Sequence, residues 1–339
     1  MAEIHVTEPA GLIVAACDDD GLIRGDLDAA PVPWWSVTKT ALAACALVLV
    51  ARGRLSLDER LPDRAYTLRQ LLQHTSGLGS YTARPEYLAA IAAQEVPWTD
   101  AEVLGRVHLA PFLFAPGQGW SYSNTGYFLV RRAIEKAAAA DIDAALRTLV
   151  LAPLAIERTR VARSVADMDA CAWGDDQSYH PGWVFHGLLI GPPAEAALFM
   201  HRLLRNSSGL LPPPLHAAML ERRPLDVPLE GRPWRSAGYG LGLMMPTADA
   251  VGAALGHSGQ GPGSVATVWH FPEFDAPRTV AAFARTEDQA VVERAVLQAA
   301  ESFSGIGRKE LKSFRLPAGR AGRLRPRRIF ASPPARPAR

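Results

Sequence analysis

Two short apolar runs, residues 11–17 and 21–27, flank Asp18-Asp19-Asp20-Gly21, a pattern that predicts two strands joined by a tight turn. Pro31-Val-Pro33-Trp-Trp35 then leads into residues 36–52, where Ala, Leu and Val leave almost no polar position after Lys39. High helix propensity without a polar face predicts a buried helix. Residues 67–74 make a further helical turn headed by a Thr cap. From residue 85 to about 231 the pattern is mainly helical, with joints at Pro116-Gly117, Gly191-Pro-Pro193 and Leu211-Pro-Pro-Pro214. The period changes after Ser236: residues 238–245, 264–271 and 279–286 read as strands, and 288–302 as a terminal helix.

Strands at both ends and helices between them predict an α+β fold. The terminal segments would share one central antiparallel sheet flanked by helices, with the middle as a helical subdomain beside it, inserted over about residues 85–231. A cleft between the two is the natural place for a site. The 339 residues suffice for two domains or for one such core with its insertion.

Composition narrows the class. The longest apolar run, residues 40–51, is 12 residues closed by Arg52, well short of the ~20 that span a bilayer. Residues 1–9 carry Glu3, His5 and Glu8 and lack the basic-then-apolar pattern of a signal peptide, so a cytoplasmic location is expected. Cys17, Cys45 and Cys171 form no CxxC pair, and neither a disulfide framework nor structural zinc is expected. His180, His186 and His201 have no matching carboxylate pair at ligand spacing, and no metal or organic cofactor is implied.

The formal charge of +2 conceals an asymmetry, because residues 308–339 hold eleven Lys or Arg against one acid while residues 1–307 are net acidic. Pro and Gly interrupt the basic tail, residues 304–339, which reads as a flexible arm. Nucleic-acid or anionic-surface contact is the alternative, since clustered bases attract phosphate without specificity.

Ser36-Val-Thr-Lys39 places a hydroxyl and an ammonium three residues apart at the start of the apolar helix. On a helix both side chains share one face, and the hydroxyl sits at the positive helix end. An apolar neighbourhood favours the neutral amine that can take the hydroxyl proton. A surface lysine beside a helix-capping serine is the alternative for this motif taken alone. Further along, Tyr122-Ser-Asn124 offers a phenol for proton relay and an amide for a substrate carbonyl or for holding Lys39, and His257-Ser258-Gly259 offers a third wall of the cleft.

Four motifs in order carry a resemblance: Ser36-Val-Thr-Lys39; Leu71-Leu-Gln-His-Thr-Ser-Gly-Leu78; Pro116-Gly-Gln-Gly-Trp-Ser-Tyr-Ser-Asn-Thr-Gly-Tyr127; and Tyr239-Gly-Leu-Gly-Leu243 followed by Gly256-His-Ser-Gly259. Over about residues 10–303 the chain resembles the serine β-lactamase and penicillin-binding-protein superfamily, in its class C-like branch of DD-peptidases, esterases and D-amino-acid peptidases. The resemblance implies a β-lactamase/transpeptidase-like domain over residues 1–303. It implies Ser36 as acylated nucleophile, Lys39 as its base and Tyr122 as the tyrosine that shares the base role and protonates the leaving group. Asn124 would hold the acyl amide, and the backbone N–H groups of Ser36 and Gln260 would form the oxyanion hole. Gly259, Gly261 and Gly263 would allow close approach of the acyl group. His74 would be structural, in a loop under the active-site helix. Trp34, Trp35, Trp120, Trp173 and Trp183 are candidates to line the acyl pocket, the alternative being that most fill core and cleft walls.

His257 departs from the family pattern, standing where class C β-lactamases keep the lysine of a Lys-Thr-Gly motif. A residue that is mostly neutral near pH 7 replaces a permanent cation, which disfavours β-lactam hydrolysis. The expected reaction is therefore hydrolysis of a carboxylic ester or small amide substrate. A D-amino-acid peptidase or amidase, or a weak β-lactamase, is the alternative within that chemistry, and a catalytically silent penicillin-binding or scaffolding protein is the alternative outside it.

Overall fold

The computed structural model describes residues 11–108, 111–174 and 179–302, so the basic tail lies outside the described residues. Its centre is a five-stranded antiparallel sheet. The strands are β1 (Ile13–Asp18), β2 (Gly21–Arg24), β3 (Leu255–Gly261), β4 (Ser264–Phe271) and β5 (Arg278–Ala284), in the spatial order β3-β4-β5-β1-β2. The two ends of the chain thus share one sheet, with β1 paired to β5 from Ile13↔Phe283 to Asp18↔Arg278. The hairpin turn falls at Asp18, whose carboxylate accepts from the Asp20 backbone N–H.

Both faces of the sheet are covered, and strand alternation sorts the side chains between them. Ala15, Cys17, Ala266, Val268, Ala281 and Phe283 join the larger core with helix α3 (Pro193–Arg205). Val14, Ala16, Val265, Trp269, Val280 and Ala282 pack with Val292, Val296 and Ala300 of α4 (Gln289–Ser302). Each Val or Phe among them contributes roughly 1.5–3 kcal/mol on full burial.

On the α3 side lies the helical region, built around α1 (Thr38–Ala51) and α2 (Asn124–Ala138). Every residue of α1 from Thr38 to Leu49 is buried, as the absence of a polar face required. Ser36 itself precedes this helix, in a 3₁₀ turn over Trp35–Val37. The short helix Leu68–Leu72 is closed by a reciprocal cap, Thr67 with Gln70, as the Thr signal suggested.

Two sequence expectations change. Residues 238–245 form a strand only over Ala237–Tyr239, paired with Arg223–Leu225. Residues 255–261, absent from the strands that the pattern predicts, form a strand at the sheet edge, paired with β4 from Leu255↔His270 to Gly261↔Ser264. Glycines at 256, 259 and 261 suppress the strand signal there, and the structure needs two of them for close packing against the turn that carries Ser36.

Candidate active site

Trp35 adopts φ +46°, a left-handed backbone uncommon for a bulky residue. Its indole N–H donates to Ser264 Oγ at 2.9 Å, and its ring lies where a Cβ on Gly261 would be. A Cβ on Gly259 would likewise meet the backbone nitrogen of Ser36 and Trp35 Cβ. Two glycines of the edge strand thus let β3 lie directly against the Ser36 turn, and that packing holds Trp35 in its strained conformation.

Within the turn, Ser36 Oγ lies 3.1 Å from Lys39 Nζ. Lys39 is fully buried, and burial holds its amine well below the usual lysine range. The Nζ atom sits 5.1 Å from the ring centroid of Tyr122 and 5.6 Å from that of Tyr127. Burial pushes the Tyr122 phenol up, and the Ser36 side chain partly opposes the rise. Ser36, Lys39 and Tyr122, 86 residues apart in sequence at the extremes, are therefore one cluster.

Lys39 has a second partner that the motif reading missed: Nζ is 3.1 Å from His186 Nε2. The expected partner, Asn124, instead donates its side-chain N–H to Thr82 Oγ1 at 3.2 Å, with its backbone N–H on Ser80 Oγ. It lines the same cavity as Ser36.

His257 belongs to a hydrogen-bond chain whose proton order can be read throughout. The Ser123 backbone N–H donates to His74 Nδ1 at 3.1 Å, so His74 carries its proton on Nε2 and donates to Tyr239 Oη at 3.2 Å. Tyr239 in turn donates to His257 Nε2 at 3.0 Å, and His257 Nδ1–H donates to the Ser258 carbonyl at 2.6 Å. Both rings are neutral in this arrangement, consistent with burial, which holds His74 well below the usual range and His257 down to about 3. His257 faces Tyr122 with ring centroids 6.2 Å apart.

Ser258 does not join the cluster. Alternation along β3 turns its side chain to the opposite face of the sheet, where it donates to Glu293 Oε1 of α4 at 2.6 Å and meets Thr267 Oγ1 at 2.8 Å. Its expected place on the cleft wall is thereby corrected: alternation along the strand turns its side chain away from Ser36. Gln260 lines the cavity beside Ser36, with its side-chain amide on the Glu287 carbonyl.

The cavity, about 120 Å³, is walled by Trp35, Tyr81, Tyr87, Leu88, Ile91 and Val184. Its tyrosine hydroxyls are already engaged: Tyr87 donates to the Trp183 carbonyl and Tyr81 accepts from the Phe185 N–H. Its walls are therefore mostly apolar and aromatic. Trp34 and Trp183 are buried core.

The other histidines considered as ligands are dispersed. His180 caps the Gly182 N–H, while His201 lies between Thr279 and Asp19. No cluster of metal-ligating side chains occurs among the described residues, and no described helix is long and apolar enough to cross a membrane.

With this geometry in place, comparison decides the lineage. The beta-lactamase family model matches residues 29–301. The chain belongs to the beta-lactamase family. It is similar to penicillin-binding protein 4* of Bacillus subtilis, 24% identical over 296 residues that cover 78% of this chain and 63% of that protein. An esterase of Burkholderia gladioli is 32% identical over 162 residues, covering 42% of this chain and 41% of the esterase. The chain thus spans less than two thirds of the length of either relative. Among solved structures, the D-amino acid amidase of Ochrobactrum anthropi SV3 superposes with a TM-score of 0.71 at 22% identity, covering 87% of this chain and 96% of that one. Its likeness shows the shared α+β fold.

Proposed function

We propose that this protein hydrolyses small amides, with D-amino-acid amides as the leading class, by two-step acyl transfer on Ser36. The observation that carries the reading is the buried Lys39 amine, 3.1 Å from Ser36 Oγ and 5.1 Å from the Tyr122 ring centroid, beside an aromatic cavity. The fold shared with the D-amino acid amidase supports the substrate class. Carboxylic esters form the second reading, favoured by the partial match to the Burkholderia esterase.

In the proposed mechanism the substrate's acyl side chain enters the cavity and its carbonyl meets Ser36 Oγ. Lys39, neutral because it is buried, takes the hydroxyl proton as the Oγ–C bond forms. The backbone N–H groups of Ser36 and Gln260 receive the oxyanion, each such donor being worth about 2.7–4 kcal/mol in the transition state. Tyr122, a neutral phenol, gives a proton to the leaving nitrogen as the C–N bond breaks, and is resupplied from Lys39. Water then attacks the acyl-enzyme by the reverse sequence, and Asn124 faces the acyl portion. His257 supplies a neutral wall, since one nitrogen accepts from Tyr239 and the other donates to Ser258. A substrate carboxylate finds no cation there, so β-lactams are expected to acylate Ser36 slowly.

Intact-mass spectrometry after a fluorophosphonate, together with turnover of D- and L-phenylalanine amide, p-nitrophenyl acetate and a penicillin, tests the reading against Ser36→Ala. A Ser36-dependent adduct with preference for the D-amide supports it. Ester turnover alone moves the assignment to the second reading, and a folded protein with neither adduct nor turnover refutes both.

A further inference from the structure

We propose that His186 is a positioning residue for Lys39, holding the amine toward Ser36 and receiving a hydrogen bond from the ammonium that forms during acylation. The inference rests on the acyl-transfer reading above. Neither motif spacing nor the proposed roles of Ser36, Lys39 and Tyr122 calls for it; the contact is between residues 147 apart in sequence.

Lys39 Nζ stands between two side chains, Ser36 Oγ and His186 Nε2, each at 3.1 Å. A neutral amine has one lone pair, and to act as base it must turn that pair toward Ser36. Its N–H bonds must then point elsewhere, and among the described residues His186 Nε2 is the side-chain acceptor within hydrogen-bond distance on the other side. The aromatic faces of Tyr122 and Tyr127 border the nitrogen without accepting conventionally. His186 accepting at Nε2 carries its own hydrogen on Nδ1. That nitrogen is buried and has no protein acceptor among the described residues. An unpaired buried donor is a costly arrangement. The ring, 3% exposed on the cavity wall, thus satisfies Lys39 at the expense of its other nitrogen.

The proton account is closed without moving a proton onto His186. As Ser36 Oγ adds to the acyl carbon, its proton passes to the Lys39 lone pair and the carbonyl electrons move to oxygen. One N–H of the resulting ammonium donates to His186 Nε2, now a charge-assisted bond. The proton leaves Lys39 again through Tyr122 to the departing nitrogen. Burial, with Lys39 and His257 nearby and Arg131 further off, holds His186 well below the usual histidine range, so it remains an acceptor. The remaining titratable neighbour, His74, is neutral and engaged with Tyr239.

Two variants separate this role from packing. His186→Phe keeps a ring without an acceptor, and His186→Gln keeps an acceptor oxygen without the ring. The full-length protein is followed by the rate of Ser36 acylation by a fluorophosphonate and by p-nitrophenyl acetate from pH 5 to 10. His186→Phe is expected to slow acylation by roughly 30-fold or more and to move the acid limb of the profile to lower pH by about one unit, because Lys39 loses the partner that favours its charged form. His186→Gln is expected to recover to within roughly 5-fold of the wild type, with the limb restored. A Phe variant whose profile only drops, with the limb unmoved, overturns the proposal. The tautomer is read independently of activity by long-range proton–nitrogen NMR of the wild type and of Lys39→Met. A proton on His186 Nδ1 in the wild type is required, with that preference lost in Lys39→Met; a proton on Nε2 in the wild type overturns the proposal whether or not Ser36 reacts. An unreactive Ser36 with the required tautomer would instead count against the acyl-transfer reading alone.

Discussion

A methyl group on Gly259 would stand 2.5 Å from the backbone nitrogen of Ser36, closer than any relaxed packing permits. The edge strand and the 3₁₀ turn are in direct backbone contact, and this contact sets where Gln260 lies relative to Ser36. Gly259→Ala is expected to push the two apart, lowering fluorophosphonate labelling of Ser36 by about 100-fold, the scale of losing one oxyanion donor. Labelling rates on protein with a wild-type circular dichroism spectrum check this; a rate within a factor of three would contradict the proposed oxyanion hole.

Lys39 is a functional liability in a dry core. The unfolded chain keeps this amine protonated to about pH 10.4, whereas the folded chain loses the proton at a much lower pH, so folding expels a proton in the window between the two values. Lys39→Met is expected to abolish Ser36 acylation while raising stability at pH 7 by about 1–3 kcal/mol. Urea unfolding of the two proteins compares them, and a Met variant less stable than the wild type would contradict the account.

Four of the buried histidines, 74, 186, 257 and 270, are held well below the ordinary range, His257 and His270 down to about 3. As pH falls through about 6.5 the unfolded state takes up protons that the folded state refuses. Stability should therefore decline from pH 6.5 toward pH 4, each histidine adding about 1.4 kcal/mol per pH unit. His270 bonds Thr279 far from Ser36, and His270→Gln should reduce the slope by about one proton without altering Ser36 labelling. Unfolding free energies at pH 7, 6 and 5 measure that slope.

Ser258 serves the far face of the sheet, joined to Glu293, which is also paired with Arg232. Ser258→Ala is expected to cost about 1–2 kcal/mol of stability through the lost charge-assisted bond, and to leave the KM for any turned-over substrate within a factor of two. A large KM change with unchanged stability would return Ser258 to the substrate site.

These cases also show what the sequence could and could not disclose. Ser36, Lys39, Tyr122 and the all-buried α1 are local signals: a spacing, a dipeptide context and a run with no polar face. The shared terminal sheet followed from strand signals at both ends. The edge strand gave only a weak signal because its glycines, needed for contact with Trp35 and Ser36, lower strand propensity, and the motif at His257-Ser258-Gly259 does not say which face each side chain takes. His186 was invisible for a different reason, since its partner lies 147 positions away and no periodicity links the two. The His74–Tyr239–His257 chain is likewise a product of tertiary packing.

The aromatic cavity draws its outer wall from Tyr87, Leu88, Ile91 and Val184, whereas Ser36 and Lys39 are fixed at the head of α1. Under the proposed acyl-transfer reading, mechanism and selectivity are therefore mechanically separate parts. Exchanging Leu88, Ile91 or Val184 for larger or smaller residues should retune which acyl groups are accepted while the reacting centre keeps its geometry, making this chain a scaffold on which substrate range can drift without relearning the chemistry.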